Sequence, residues 1–286
     1  MTQSGNRHTH QKRRHSVVRL VADHTLLSAL AVMFLAPFLF ILLTSFMTAR
    51  QAGTRDWWPS TWQFANYATV FEKLDVLKYF GNSFLYAGLA TIFMLASSVP
   101  AAYALSRIRF RGSRVIFVII ICAMLLPPQV TTVPLYVMWA RLHLTGSLWP
   151  LILPNLLGDA FSVFLLRQFL LTIPKEYSES AKLDGCGEFR TMLRVIVPMA
   201  KPGIAAAAIF LFFHAWNDYY GALLYTSENE NAWPISYALA QFRGTRSVDW
   251  NLVMAATVLA MIPVILIFFA AQKVFVQGVT LTGVKG

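Results

Sequence analysis

Six apolar runs, each about as long as a bilayer is thick, confine this chain to a membrane-embedded fold. They cover residues 26–46, 81–105, 115–139, 148–171, 203–225 and 252–276. An α-helix needs about 20 mostly apolar residues to cross the ~30 Å hydrocarbon core, and slightly longer runs are accommodated by tilt. The first run carries no charge at all. It is longer than the apolar region of a signal peptide, has no small-residue cleavage site and contains Pro37, so it is expected to be a retained first helix. Only 13% of the chain is charged and 57% is hydrophobic, whereas a soluble domain carries about 25% charged residues. The expected fold class is an all-α polytopic membrane protein with six transmembrane helices in one domain over 26–276. A disordered basic tail, 1–25, precedes it and a short tail, 277–286, follows.

The net charge of +11 would suggest nucleic-acid binding in a soluble protein. Here the positions of the basic residues explain it. Of the 24 Lys and Arg residues, 17 fall in the segments that share a side with the N-terminus and 7 in the others. Basic residues collect on the cytoplasmic side, so both termini are expected inside the cell, with the lipid bilayer as partner and no nucleic acid. Cys122 and Cys186 have no disulfide or metal-binding spacing. Trp57, Trp58, Trp62, Tyr67 and Tyr79 lie in the outer segment 47–80, at the level where aromatic side chains anchor to headgroups.

One polar stretch, 171–204, interrupts the apolar pattern on the inner side. Pro174 biases Ile173 away from helix, and a short helix from Lys175 carries Glu176 and Glu179 at its positive N-terminal end. Ser178, Ser180 and Ala181 are small enough for close approach to another surface, and Gly185 is placed to stop the helix in a left-handed conformation. A second helix is expected from Gly187-Glu188 to Val197, ended by Pro198. Its apolar residues Phe189, Met192, Leu193 and Ile196 form one stripe, with Arg190 and Arg194 opposite.

Within the spans, ionisable residues are costly and are functional candidates. Asp159 falls near the middle of the fourth run. Asp218 falls in the outer half of the fifth, beside Trp216 and Asn217. These groups either hydrogen-bond between helices or line a path for polar solutes. Pro127-Pro128-Gln129 breaks the third run and implies irregular backbone facing a cavity or partner.

Taken together, these marks resemble the permease subunit of a carbohydrate-uptake ABC importer of the maltose-transporter type, from residue 26 to the end. Glu179-Ser180-Ala181, Lys182-Leu183-Asp184-Gly185 and Val197-Pro198 match the family's glutamate-alanine-alanine loop, with Ser180 and Cys186 in place of alanines. Asn66-Tyr67, Asn82-Ser83, Pro127-Pro128-Gln129, Leu165 to Phe169, Trp216-Asn217-Asp218 and Leu281 to Gly286 match in the same order. The resemblance implies a type I ABC importer permease fold with a cytoplasmic coupling helix in the loop 172–202. Glu176, Glu179, Ser180, Ala181, Lys182, Leu183, Asp184, Gly185 and Cys186 would meet the ATPase, and Thr282, Gly283 and Lys285 would reach toward the interface between two ATPase copies. Asn82, Gln129, Asp159, Trp216, Asn217 and Asp218 are the candidate substrate path. The implied partners are a second permease subunit, two cytoplasmic ATPase copies and an extracytoplasmic solute-binding protein.

No GxxxxGK[ST] motif occurs in the chain. Catalysis, ATP and Mg2+ are therefore expected to belong to the partner ATPase, with no cofactor or metal held here. The alternative is an ion-gradient-driven secondary transporter or channel relaying ions through Asp159 and Asp218. Six spans are few for such a protein, and that reading leaves the 172–202 loop without a role.

Overall fold

The computed structural model describes residues 7–54, 56–241 and 248–283, with side chains over 20–54, 56–241 and 248–272. Among the described residues there is no strand. Four helices are long and apolar enough to cross a membrane, and six spans result if each of two bent pairs counts as one. The chain divides into two units, Met1–Val70 with Gly244–Leu259 and Phe71–Arg243 with Ala260–Gly286.

In the first unit, helix α1 spans Arg7–Ser45. Residues 7–25, expected as a tail, lie within this helix, while 1–6 lie outside the described residues. Once a membrane helix exists, extending it needs no new nucleus, and Lys and Arg are good helix formers. At the other end of α1 the chain turns back under the control of Asn66. Its Nδ2 donates to the carbonyls of Ser45 and Met47 (2.8 and 2.9 Å), and its Oδ1 accepts from Asn251 Nδ2 (3.0 Å). Ser45 Oγ and Tyr67 OH lie 2.7 Å apart in the same turn. Carbonyls at a helix end buried without partners are expensive, so the Asn66-Tyr67 pair is a folding device. Around it Phe46 packs on Trp62, Phe64 and Tyr67 at centroid distances of 5.1–5.4 Å. Trp57 and Trp58 remain about two-thirds exposed.

The second unit is built on α2, Val76–Arg107. Two apolar cores line its length. One joins Tyr79, Tyr86, Ala87 and Ala90 to Trp139, Ile152, Trp216 and Tyr225; the other joins Met94, Ala102 and Tyr103 to Leu166, Phe169, Met192 and Ile196. Ala87, Ala90, Ala102 and Ala207 are fully buried. Small residues let membrane helices approach closely and so maximise dispersion contacts.

The expected third span is broken outright. Helices α3 (Ser113–Met124) and α4 (Pro128–Arg141) meet at 92°. Pro127 and Pro128 supply the break, since neither offers the N–H a continuous helix would need. The fourth run splits as well. Residues Trp149–Leu157 form a short α turn and a 3-10 turn, and α5 begins only at Ala160 and runs to Thr172. Gly158, at φ +96°, makes the corner. In the fifth run α7 is Lys201–Trp216 and α8 is Tyr219–Thr226; here α6 denotes Glu176–Leu183 in the preceding loop. Helix α9 covers Trp250–Gly283, so helix continues beyond residue 276, where the reading ended the last span.

Where α7 starts, Gly203 lies against the ring of Phe169. A Cβ there would sit 2.5 Å from Cγ and 2.8 Å from both Cδ atoms. The α5–α7 crossing therefore depends on a residue with no side chain.

Candidate functional site

The loop 172–202 begins as expected. Ile173, before Pro174, is extended (φ −75°, ψ 130°), as the following ring requires. The carbonyls freed at the end of α5 are taken by Arg107 of α2. Its Nη2 donates to Leu170 O and Ile173 O, both at 2.6 Å, and Nη1 reaches Pro174 O at 3.4 Å. A cation at a helix C-terminus satisfies these groups and complements the dipole. In the sequence Arg107 is only one of the basic residues on the N-terminal side.

Helix α6 then projects. Ser178 and Ala181 are buried, while Glu176, Glu179, Ser180, Lys182, Leu183 and Asp184 are exposed. Leu183 is 89% exposed, an unusual cost for an aliphatic side chain beside a polar helix. The helix ends in a two-bond reversal: Gly185 N–H donates to Lys182 O (3.0 Å) and Cys186 N–H to Ala181 O (2.9 Å). That is a Schellman stop, with Gly185 at φ +79°. Nothing lies within 4 Å of a Cβ built there, so the glycine is demanded by backbone conformation alone. Cys186 is half-buried and Cys122 exposed.

The second helix differs from its expectation in two ways. It starts as Glu188–Thr191, opens into a π turn over Met192–Ile196, and continues through Pro198 to Met199. The π turn supplies the register a proline needs: Val197 N–H reaches back to Met192 O. The wider turn eases the clash that would otherwise end the helix at Val197. It also displaces the buried face. Met192 and Ile196 are buried together with Thr191, but Phe189 is 70% and Leu193 47% exposed. The expected stripe is therefore split, and its outer half joins Tyr177 and Leu183 as exposed apolar surface. At Ala200 the chain bends by 81° into α7.

Lys182 and Glu188 close the loop on itself. Lys182 Nζ is 2.5 Å from Glu188 Oε1, and Tyr103 OH of α2 donates to Glu188 Oε2 at 2.8 Å. The Lys182 ammonium first, and then the Tyr103 hydroxyl, hold the Glu188 carboxyl below the ordinary glutamate range. A lowered folded value means that the contact contributes fully above the unfolded glutamate pKa. It is lost as pH falls through the lowered value.

The candidate path residues are placed differently from one another. Asp159 and Asp218, expected inside continuous helices, instead sit at the two helix breaks as N-caps. Asp159 Oδ2 accepts from Ser162 N–H (2.7 Å), and Asp218 Oδ1 from Gly221 N–H (2.8 Å). Asp218 Oδ2 also accepts from Tyr86 OH at 2.9 Å. An Asp cap contributes about 1 kcal/mol, and a free helix N-terminus in an apolar setting explains both acids. Trp216 is 3% exposed and donates to Ala260 O. Asn82 holds the carbonyls of Asn231 and Trp233. Gln129 is exposed on α4, and Asn217 is exposed just past the end of α7, with its amide on Phe213 O.

Phe210 and His214 are exposed on one side of α7, with Asn217 just past its end and Tyr220 exposed after the break. His214 and Tyr220 carry no charge cost within an apolar run, so nothing in the sequence marks them. Thr282, Gly283 and Lys285 lie outside the described side chains. Among the described residues no group of three or more His, Cys, Asp or Glu could hold a metal ion.

Comparison with known proteins accounts for this arrangement. The family described as binding-protein-dependent transport system inner membrane component matches residues 97–281. A probable ABC transporter permease protein, YurM of Bacillus subtilis, is 32% identical over 252 residues, 87% of this chain and 83% of the relative. The arabinooligosaccharides transport system permease protein AraQ of Bacillus subtilis is 30% identical over 262 residues, 90% of this chain and 92% of its own. The fold superposes on a chain from the crystal structure of a bacterial ABC transporter involved in import of the acidic polysaccharide alginate. The TM-score is 0.78 at 25% identity, covering 95% of this chain and 99% of that one.

Proposed function

We propose a carbohydrate-import role for this chain, which belongs to the family of inner membrane components of binding-protein-dependent transport systems. As the permease subunit of an ABC importer, it forms half of a translocation path for a sugar or related polyol. A second permease subunit supplies the other half. An extracytoplasmic binding protein delivers the solute, and two copies of a cytoplasmic ATPase bind ATP and Mg2+. The chain itself carries out no catalysis. Carbohydrate is favoured by the relative that carries arabinooligosaccharides and by the alginate importer whose fold this chain shares.

The observation that carries the reading is the exposed apolar and acidic surface of α6 and the turn after it: Leu183, Phe189, Glu176 and Glu179, with Gly185 ending the helix. With both termini and the loop 172–202 on the cytoplasmic side, that surface seats in the ATPase, and nucleotide-driven closure displaces α6. Two arrangements of the spans then exchange, and ATP biases them through contacts that differ between the two. The C-terminal residues Thr282, Gly283 and Lys285 are assigned to the ATPase contact on the resemblance alone. Reconstitution with the partner subunits tests the reading: uptake should follow ATP and stop with a phosphate-mimic ATPase inhibitor. Uptake that follows an ion gradient instead would replace it. The caps at Asp159 and Asp218 leave that alternative without the unengaged acids it relied on.

For the path we propose the exposed residues His214, Asn217 and Tyr220 around the end of α7. Sugars are held by polar groups set among aromatic surfaces, and these residues offer an imidazole, an amide and a phenol. Asn217→Ala is expected to raise the KM for uptake several-fold with the ATPase rate retained. An unchanged KM would leave Asn217 with only its bond to Phe213.

A further inference from the structure

The last two turns of α2 grip both ends of α6. Arg107 holds the carbonyls of Leu170 and Ile173, immediately before it, and Tyr103, one turn earlier, reaches the C-terminal end through Glu188 and Lys182. The opposite end of the same helix grips a different part of the chain. Tyr79 OH donates to Glu230 Oε1 (2.6 Å), and Asn82 Nδ2 donates to Asn231 O and Trp233 O. Ser83 Oγ accepts from Ile235 N–H (2.8 Å), and Tyr86 bonds Asp218. The 32 residues of α2 span about 48 Å at 1.5 Å per residue. Ala87, Ala90 and Ser98 in its middle are fully buried, and Pro100 lies between them and the inner end, so the helix is held closely along its length.

Resting on the permease reading above, we propose that Glu188 is a positioning residue. Through Tyr103 it transfers displacement of α6 to α2, which delivers it to the segment 230–235 at the far end.

Lys182 and Glu188 are both more than two-fifths exposed. An ion pair so exposed adds little to stability, and its removal leaves the chain folded. Its value lies in geometry. It joins the end of α6 to Tyr103 of α2, while Arg107, one turn on, holds the segment before α6.

The test uses the complex reconstituted with its ATPase, in a chain carrying Asn231→Cys. Maleimide labelling of residue 231 is read by peptide mass, with and without ATP and vanadate. Nucleotide trapping should change the labelling rate several-fold in the parent chain. Tyr103→Phe and Glu188→Ala should each abolish that change while the chain still captures the ATPase subunit. Glu188→Gln, which keeps a side-chain oxygen able to accept from the Tyr103 hydroxyl, should retain most of it. A full nucleotide response in Tyr103→Phe and Glu188→Ala would overturn the proposal. So would loss of ATPase capture, since the residues would then act in docking. Absence of any response in the parent chain would overturn it too, while ATP-dependent uptake by the same complex tests the permease reading separately.

Discussion

Gly185→Pro is expected to abolish ATP-linked uptake while the protein remains in the membrane at its normal level. At φ +79° the residue lies in the left-handed region, which costs a residue with a Cβ roughly 1–2 kcal/mol. Proline cannot reach it at all, because its ring holds φ near −65°. It would also remove the N–H that bonds Lys182 O, one of the two bonds closing α6. The helix end would then open, and Leu183 and Lys182 would lose their fixed placement. The surroundings are empty, so no steric clash confuses the outcome. A graded series follows from the same physics. Gly185→Asn should be the mildest because Asn tolerates this conformation, Gly185→Ala intermediate, and Gly185→Pro complete. Immunoblots of the membrane fraction and uptake into vesicles measure the two sides. Undiminished uptake in the proline variant would remove the loop from the mechanism.

Gly203→Ala should destabilise the protein, although alanine is the better helix former by about 1 kcal/mol. Two effects of opposite sign compete, and the contact with Phe169 decides between them. The added methyl would stand 2.5 Å from the ring carbon Cγ. That ring is 9% exposed and packed in the core with Met192 and Ile196, so moving it disturbs buried neighbours. Overpacking of this kind costs about 1–3 kcal/mol, and Gly203→Val should cost more. Shrinking the ring should relieve it. Gly203→Ala combined with Phe169→Leu is expected to be less damaging than the two single costs added, by about 0.5–3 kcal/mol of coupling. Thermal unfolding of the four proteins in one detergent measures this, and strict additivity would show that the residues do not meet.

Much of this architecture was legible in the chain. The apolar runs located the four long apolar helices, because hydrocarbon thickness sets a length that sequence displays directly. Pro174 and Gly185 predicted the ends of α6, since each acts through its own backbone restriction. The helix breaks were harder. Asp159 and Asp218 looked like charges within spans, and only the three-dimensional course of the chain shows each at a helix start, with a backbone N–H three residues on as its partner. The continuation through Pro198 was hidden for a similar reason, because the π turn that admits it leaves no compositional trace.

Residue pairs far apart in the chain were not legible at all. Tyr103 and Glu188 are separated by 85 positions, and Tyr86 and Asp218 by 132. Neither member of such a pair announces its partner, because a tyrosine in an apolar run reads the same whether its hydroxyl is satisfied or not.

By itself the sequence determined the solvent this protein lives in, its all-helical class and the identity of the loop that projects. Those depend on local quantities, namely hydrophobic length, backbone dihedral limits and charge. Only the tertiary structure decided which side chains hold the loop and which acids serve as caps. It alone showed α2 as the helix gripped at both ends, because those properties arise when distant segments meet in a low-dielectric interior, where every polar group must find a partner.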